Sequence, residues 1–352
     1  MDQLFKTLGG LLERGQDAVL VSIVASSGST PRGSGARMLV AGAGRLSGTI
    51  GGGAVEYKAE ALAKEALAER RSYTKAFTLR RNEVEDLGMI CGGDVKVYFQ
   101  YIPAGPAAAA FAAQAIACFG RDEDAWLVTD ITDDGGWTMA LHTAGARLAA
   151  LDADGKTDLP PLPENQLAGL LLPAPVRLPL GAHLLYAEPL VQAGRAVLFG
   201  GGHISQELLP LLAHLGFNCV VFDDRPDFVT EALFPAAQAR ILGDFEDIDR
   251  NITLTPNDYV IIMTRGHAGD YSVQRQALRQ PHAYVGVIGS RSKIASVSKR
   301  LLEAGVSQAA IDAVYTPIGL SIGAKSPAEI AISIAAQLIQ VRAARRAGPK
   351  TP

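Results

Sequence analysis

Four short β-branched apolar runs, at 196–199, 219–223, 259–263 and 284–288, alternate with helical stretches through the C-terminal half of the chain. Apolar runs of this length, each followed by a helix, build a parallel sheet of βαβ units buried on both faces. The segment Val197-Leu198-Phe199-Gly200-Gly201-Gly202-His203-Ile204-Ser205 sharpens that expectation, reading as a strand, a glycine turn and a helix start. Gly200 and Gly202 permit a tight turn and let a phosphate approach the amides of the helix N-terminus. Asp223 follows 23 residues after Gly200 at the end of the next strand, where an acid accepts hydrogen bonds from a ribose hydroxyl. Ser205 stands where a third glycine or alanine is usual. Two readings of this half stay open: a dinucleotide site, and a Rossmann-like domain that binds no dinucleotide.

Two further loops follow strands at their carboxyl ends, where open α/β sheets bind ligands. They are Thr264-Arg265-Gly266-His267-Ala268-Gly269-Asp270 and Gly289-Ser290-Arg291-Ser292-Lys293. Arg265, His267, Ser290 and Arg291 are candidate contacts for an anionic cofactor. His203 either faces the same crevice or caps a surface helix, and Asp270 either meets a ligand or caps the helix after it. The last helix is expected over 327–342, with Ser326 as cap, Pro327 at its first position and Glu329 in its first turn.

The N-terminal half reads as α+β. A buried strand at 18–25 leads into a small-residue loop, 26–33, that carries Arg32. Two short strands, 36–40 and 45–48, flank a glycine turn. Gly51, Gly52 and Gly53 then open a helix with Val55, Ala59, Leu62 and Ala66 on one face. These glycines, with Arg32 and Arg37 to supply charge, form a cradle for an anionic group or a tight turn that binds nothing; Glu56 sits in the first helical turn. Val95, Val97, Phe99 and Tyr101 alternate with polar residues as a half-buried strand, and 128–142 reads as a hairpin. Seven of the 19 prolines fall between 160 and 189. Proline restricts itself and its predecessor, so 156–194 reads as an extended connector between a domain at 1–155 and one at 195–352.

Charge and cysteine usage exclude several classes. A net charge of -3 over 352 residues lacks the footprint of a nucleic-acid binder. The charge-free run 97–120 contains Pro103, Gly105 and Pro106, so it reads as strand, turn and amphipathic helix rather than a bilayer span. The first residues lack the regions of a signal peptide, and the expected location is cytoplasmic, with no membrane and no nucleic-acid partner. The three cysteines, Cys91, Cys118 and Cys219, are too far apart for a disulfide framework. Cys118 and Cys219 fall in core positions. Cys91, beside Gly92 and Gly93, is sterically open: either a soft ligand suited to a metal or to sulfur transfer, or a small hydrophobe. No hydrolase elbow, Walker loop or zinc-helix motif is present.

Taken in order, these segments resemble the XdhC/CoxI family of accessory proteins for xanthine dehydrogenase and related molybdenum hydroxylases. The likeness is carried by 26–33, by Leu46-Ser47-Gly48-Thr49-Ile50-Gly51-Gly52-Gly53-Ala54-Val55-Glu56 and by Cys91-Gly92-Gly93. In the second half it is carried by Phe199-Gly200-Gly201-Gly202-His203, Phe222-Asp223-Asp224-Arg225-Pro226, Thr264-Arg265-Gly266-His267, Gly286-Val287-Ile288-Gly289-Ser290-Arg291 and the stretch 317–331. The resemblance implies an N-terminal α+β domain followed by a Rossmann-like domain. It also implies a non-catalytic carrier that binds the molybdenum cofactor (molybdopterin), protects it, presents it to a cysteine desulfurase and delivers it to its target enzyme. Cys91 would stand at the metal end, and a homodimer is compatible with the family. The alternative is an NAD(P)-dependent oxidoreductase using Gly200 to Asp223, with His267 and Arg265 as its best catalytic pair.

Overall fold

In the computed structural model the chain divides into two compact units, residues 1–192 and 193–352. The structure describes residues 2–28, 30, 32–78, 93–121, 123–132, 136–191, 194–289 and 291–347.

The first unit runs α1 (Asp2–Glu13), β1 (Ala18–Ser27), β2 (Arg37–Ala41), β3 (Gly44–Thr49), α2 (Gly53–Glu69), β4 (Tyr73–Thr78) and β5 (Asp94–Ile102). It continues through α3 (Pro106–Phe119), β6 (Ala125–Asp130), β7 (Thr138–Thr143), β8 (Arg147–Asp152), α4 (Glu164–Leu167), β9 (Val176–Leu180) and β10 (His183–Val191). Two five-stranded antiparallel sheets result, ordered β3-β2-β1-β5-β4 and β8-β7-β6-β10-β9. The period of two along β1 explains its burial on both faces. Val19, Val21 and Ile23 share a core with Val55, Ala59 and Ala63 of α2. Leu20 and Val24 instead join Leu8 of α1, Phe111 of α3 and Tyr186 of the second sheet.

The proline-rich stretch is not the connector its composition predicts. It supplies β9 and β10, and β10 lies inside the second sheet between β6 and β9. Pro179 sits on β9, the edge strand, opposite Leu184, and Pro189 adjoins a register shift in β10. Sheet formation thus absorbs prolines at the positions that tolerate them.

The second unit comprises β11 (Arg195–Phe199), α5 (His203–His214), β12 (Asn218–Asp223), β13 (Ala239–Leu242), β14 (Tyr259–Ile262), α6 (His267–Ala277), β15 (Tyr284–Val287), α7 (Arg291–Glu303), α8 (Gln308–Asp312) and α9 (Pro327–Ala347). All five strands are parallel, in the order β13-β12-β11-β14-β15. β13 is an addition to the four expected strands; it is four residues long, interrupted by Arg240 and only half-buried, so its periodicity is weak. Leu198 and Val221 pack into a core with Leu208 and Leu338, while Val197, Phe199 and Val220 pack into a core on the opposite face with Val273. Burial on both faces is what the continuous apolar runs require.

Successive strands step outward from β11 through β12 to β13, and the chain then returns to the other side of β11 to lay down β14 and β15. The direction of winding therefore reverses between β11 and β14. That switch point opens a crevice at the carboxyl edge of the sheet.

Candidate functional site

The carboxyl edge is shaped by close backbone packing around the glycine turn. Gly200 adopts φ +108°, and a Cβ there would lie 2.3 Å from the Met263 carbonyl oxygen of the neighbouring loop. A Cβ on Gly201 would lie 2.0 Å from the carbonyl oxygen of Phe228. Only glycine satisfies either constraint. Ser205, in place of the third small residue, donates from its hydroxyl to the Gly200 carbonyl and so ties the helix to the turn.

Gly202 differs from its neighbours. It is the N-cap of α5, extended at φ -70°, with no side-chain cap and nothing within 4 Å of a Cβ built on it. Gly266, at φ +103°, is likewise the N-cap of α6, without a side-chain cap and with open space around it. By contrast, the Ser307 hydroxyl caps α8 by accepting from Ala310 N–H, and Ser326 with Glu329 forms a capping box at α9. The two helices that start beside the switch point thus leave first-turn amides uncapped, and an uncapped helix start favours an anion through its N–H groups and its dipole.

The expected contacts fall around this edge in different ways. His203 and Arg265 are exposed, on the first turn of α5 and on the loop before α6. His267 and Arg291 are the first residues of α6 and α7. Ser290 lies outside the described residues. Asp270 is fully buried and accepts from the Thr264 N–H (3.0 Å) and hydroxyl (2.7 Å), so it braces the loop that precedes α6.

Asp223 ends β12 as the spacing predicts, but its carboxylate turns inward. It is fully buried; Oδ1 accepts from the backbone N–H (3.0 Å) and Nε (2.8 Å) of Arg225, and Oδ2 from Gly201 N–H (2.7 Å) and Arg225 Nη2 (3.0 Å). Four hydrogen bonds fill a carboxylate's capacity. Burial raises the Asp223 pKa, but the Arg225 and Gly201 hydrogen bonds outweigh it and hold the carboxyl below its usual range. The acid expected to meet a ribose instead locks Arg225 against the glycine turn.

In the first unit, Gly51, Gly52 and Gly53 take φ of +133°, +77° and +63°, a succession that only glycine makes without strain. The loop closes on Glu56 of α2. Its Oε2 accepts from the Thr49 hydroxyl, Ile50 N–H (3.0 Å) and Gly52 N–H (3.1 Å), while Oε1 pairs with Arg45 at 2.7 Å. Burial pushes the Glu56 pKa up, but these donors outweigh it and the net shift is downward. The amides that a loop of this composition could offer an external anion are held by the chain's own carboxylate. Arg32 is exposed on the preceding loop and Gly93 is buried just ahead of β5. Cys91 and Gly92 lie outside the described residues. Cys118 and Cys219 are both free and buried, and burial pushes the Cys219 thiol up to about 12.

Glu56 and Arg225 are the residues whose roles sequence reasoning missed. The available signal was position: an acid four residues after Gly52, and a basic residue two after the strand-end acid. Among the described residues no group of three or more metal-ligating side chains converges, and no helix is long and apolar enough to cross a membrane.

An antiparallel α+β unit followed by a Rossmann-type unit with uncapped, glycine-started helices defines the class of protein. The description "XdhC Rossmann domain" matches residues 196–338, and "XdhC and CoxI family" matches residues 11–78. Together they span more than half of the chain, which belongs to the XdhC and CoxI family. A probable xanthine dehydrogenase subunit from Bacillus subtilis (strain 168) is 28% identical over 97% of this chain and 98% of its own length. The uncharacterised protein YqeB of Escherichia coli (strain K12) is 25% identical over 96% of this chain, which spans only 46% of that relative. A crystal structure of a xanthine dehydrogenase from Bacillus halodurans superposes with a TM-score of 0.79 at 25% identity, covering 100% of this chain and 98% of that one.

Proposed function

We propose that this chain is an accessory factor of a xanthine dehydrogenase-type molybdenum hydroxylase, and that its cargo is the molybdenum cofactor. The observation that carries the reading is the pair of uncapped, glycine-started helices at the switch point between β11 and β14. The cofactor's phosphate is an anion of the kind such helix starts hold, and the open space at Gly202 leaves room for it. Arg265, exposed on the loop leading into α6, adds positive charge at the same edge.

In this reading the chain holds the cofactor while a cysteine desulfurase supplies sulfur, then passes it to the apoenzyme. Cys91 lies outside the described residues, and the sequence Cys91-Gly92-Gly93 makes its thiol the candidate soft ligand for a metal or for sulfur transfer. Relatives bearing the name xanthine dehydrogenase support the choice of target. The rival reading, a nicotinamide-dependent oxidoreductase, loses its ribose acceptor to the Asp223–Arg225 lock. A cytoplasmic location and a homodimer complete the proposal.

Isolation without oxygen, followed by molybdenum and pterin analysis, tests it. Copurifying molybdenum and pterin, lowered in Cys91→Ala, are the expected result. A protein that never retains either under anaerobic conditions would sink the proposal.

A further inference from the structure

The Arg225 side chain is held as a plane. Asp223 grips its Nε and Nη2 edge at 2.8 and 3.0 Å, and the guanidinium carbon lies 3.6 Å from the centroid of the Phe228 ring, which covers one face. About a quarter of the side chain stays accessible, and among the described residues no second ring covers the opposite face. The segment is anchored to the glycine turn, because Gly201 donates to Asp223 and approaches the Phe228 carbonyl too closely to admit a Cβ.

Charge decides what such a plane attracts. Asp223 neutralises Arg225, and the half-exposed Asp224 carboxylate stands 3.6 Å from the Arg225 Nε. The local sum is negative, so a phosphate gains nothing here. A weakly hydrated guanidinium plane instead stacks flat rings, which is how arginine receives heteroaromatic bases.

Building on the carrier reading, we propose that Arg225 is a stacking platform for a flat heteroaromatic ring that is joined to a phosphate. The phosphate would sit at the uncapped start of α5 and the ring on the free face of Arg225. Two sources share this chemistry: the base of a nucleotide, whether free or forming part of a dinucleotide cofactor, and the pterin itself.

Calorimetric titration of the full chain with CMP, GMP, AMP, neopterin phosphate and ribose 5-phosphate tests the platform and identifies the source. At least one ring-bearing ligand is expected to bind tenfold or more tightly than ribose 5-phosphate, with reduced ring absorbance on binding. A preference for neopterin phosphate assigns the pterin, and a preference for a nucleotide assigns the base. Arg225→Lys keeps the charge but loses the plane. It is expected to weaken the ring ligand tenfold or more and to leave ribose 5-phosphate unchanged, with the melting temperature checked in parallel. Ribose 5-phosphate binding as tightly as the ring ligands overturns the platform, as does an unaltered Arg225→Lys or the absence of ring-ligand binding at millimolar concentration. Cofactor content after anaerobic isolation reports on the carrier reading separately, so a chain that retains molybdenum yet shows no ring preference rejects the platform alone.

Discussion

Gly202→Asp separates the anion-binding role of α5 from its stability, because the two effects carry opposite signs. Gly202 is an N-cap in an extended conformation with nothing within 4 Å of its Cβ position, so a longer side chain fits without displacing a neighbour. Aspartate there accepts from the orphan amides of the first turn, a gain of a few tenths of a kcal/mol over glycine. Its charge also meets the positive end of the helix dipole, worth about 0.3–1 kcal/mol. Together these stabilise the second unit by about 1 kcal/mol, which raises its melting temperature by about 2–4 °C. The same carboxylate occupies the donors a ligand phosphate would use. Charge-assisted hydrogen bonds are worth about 1.5–3 kcal/mol, so affinity for the phosphorylated ligand should fall roughly ten- to hundredfold. Differential scanning calorimetry and quantification of cofactor retained after anaerobic isolation read the two effects side by side. Gly202→Ala is the control, since it removes neither the space nor the open amides. Cofactor retention equal to wild type in Gly202→Asp would refute the assignment of the phosphate to α5, as would an equal loss in Gly202→Ala.

Four other substitutions probe the frame around the site. Glu56→Gln should cost about 1–3 kcal/mol at pH 7, measured by urea unfolding, because buried donors lose a charged acceptor. Glu56 has its pKa lowered from 4.5 in the folded state, so its contribution is complete above that value and disappears as pH falls through the lowered one; the gap to wild type should close on acidification, and a pH-independent gap would contradict the assignment. Arg37 of β2 and Glu188 of β10 form a buried ion pair between the two sheets of the first unit, with Arg37 Nε and Nη1 unpartnered among the described residues. Arg37→Met alone should cost about 3–5 kcal/mol, and adding Glu188→Leu should recover much of it; simple additivity in the double-mutant cycle would exclude coupling. Gly200→Ala should cost about 3 kcal/mol or more, from strain at φ +108° and the clash with the Met263 carbonyl, and a loss below about 0.5 kcal/mol in urea would be incompatible with this turn.

Much of the frame was legible in the residues. Period-two and continuous apolar patterns located β1, β5, β11, β12, β14 and β15, and β6 pairs with β7 as the sequence Asp134-Gly135-Gly136 at the centre of 128–142 predicts. The proline-rich stretch misled because composition records a bias against regular structure, whereas edge positions and bulges accept proline at little cost. The site was legible as loops and illegible as contacts. Glycine spacing marked Gly200 and Gly202, yet nothing local distinguishes a carboxylate that faces solvent from one that faces its own chain.

What the sequence determined by itself is the alternation of strands and helices in the second unit and the parallel sheet that follows from it, because these depend on the period of burial. Tertiary structure alone decided the fate of the acids. Asp223 closes on Arg225 and Gly201, Glu56 closes on the amides of its own loop, and Asp270 braces Thr264. A buried carboxylate takes the nearest donors the fold supplies, and which donors are near is set by strands that pair far apart in the chain.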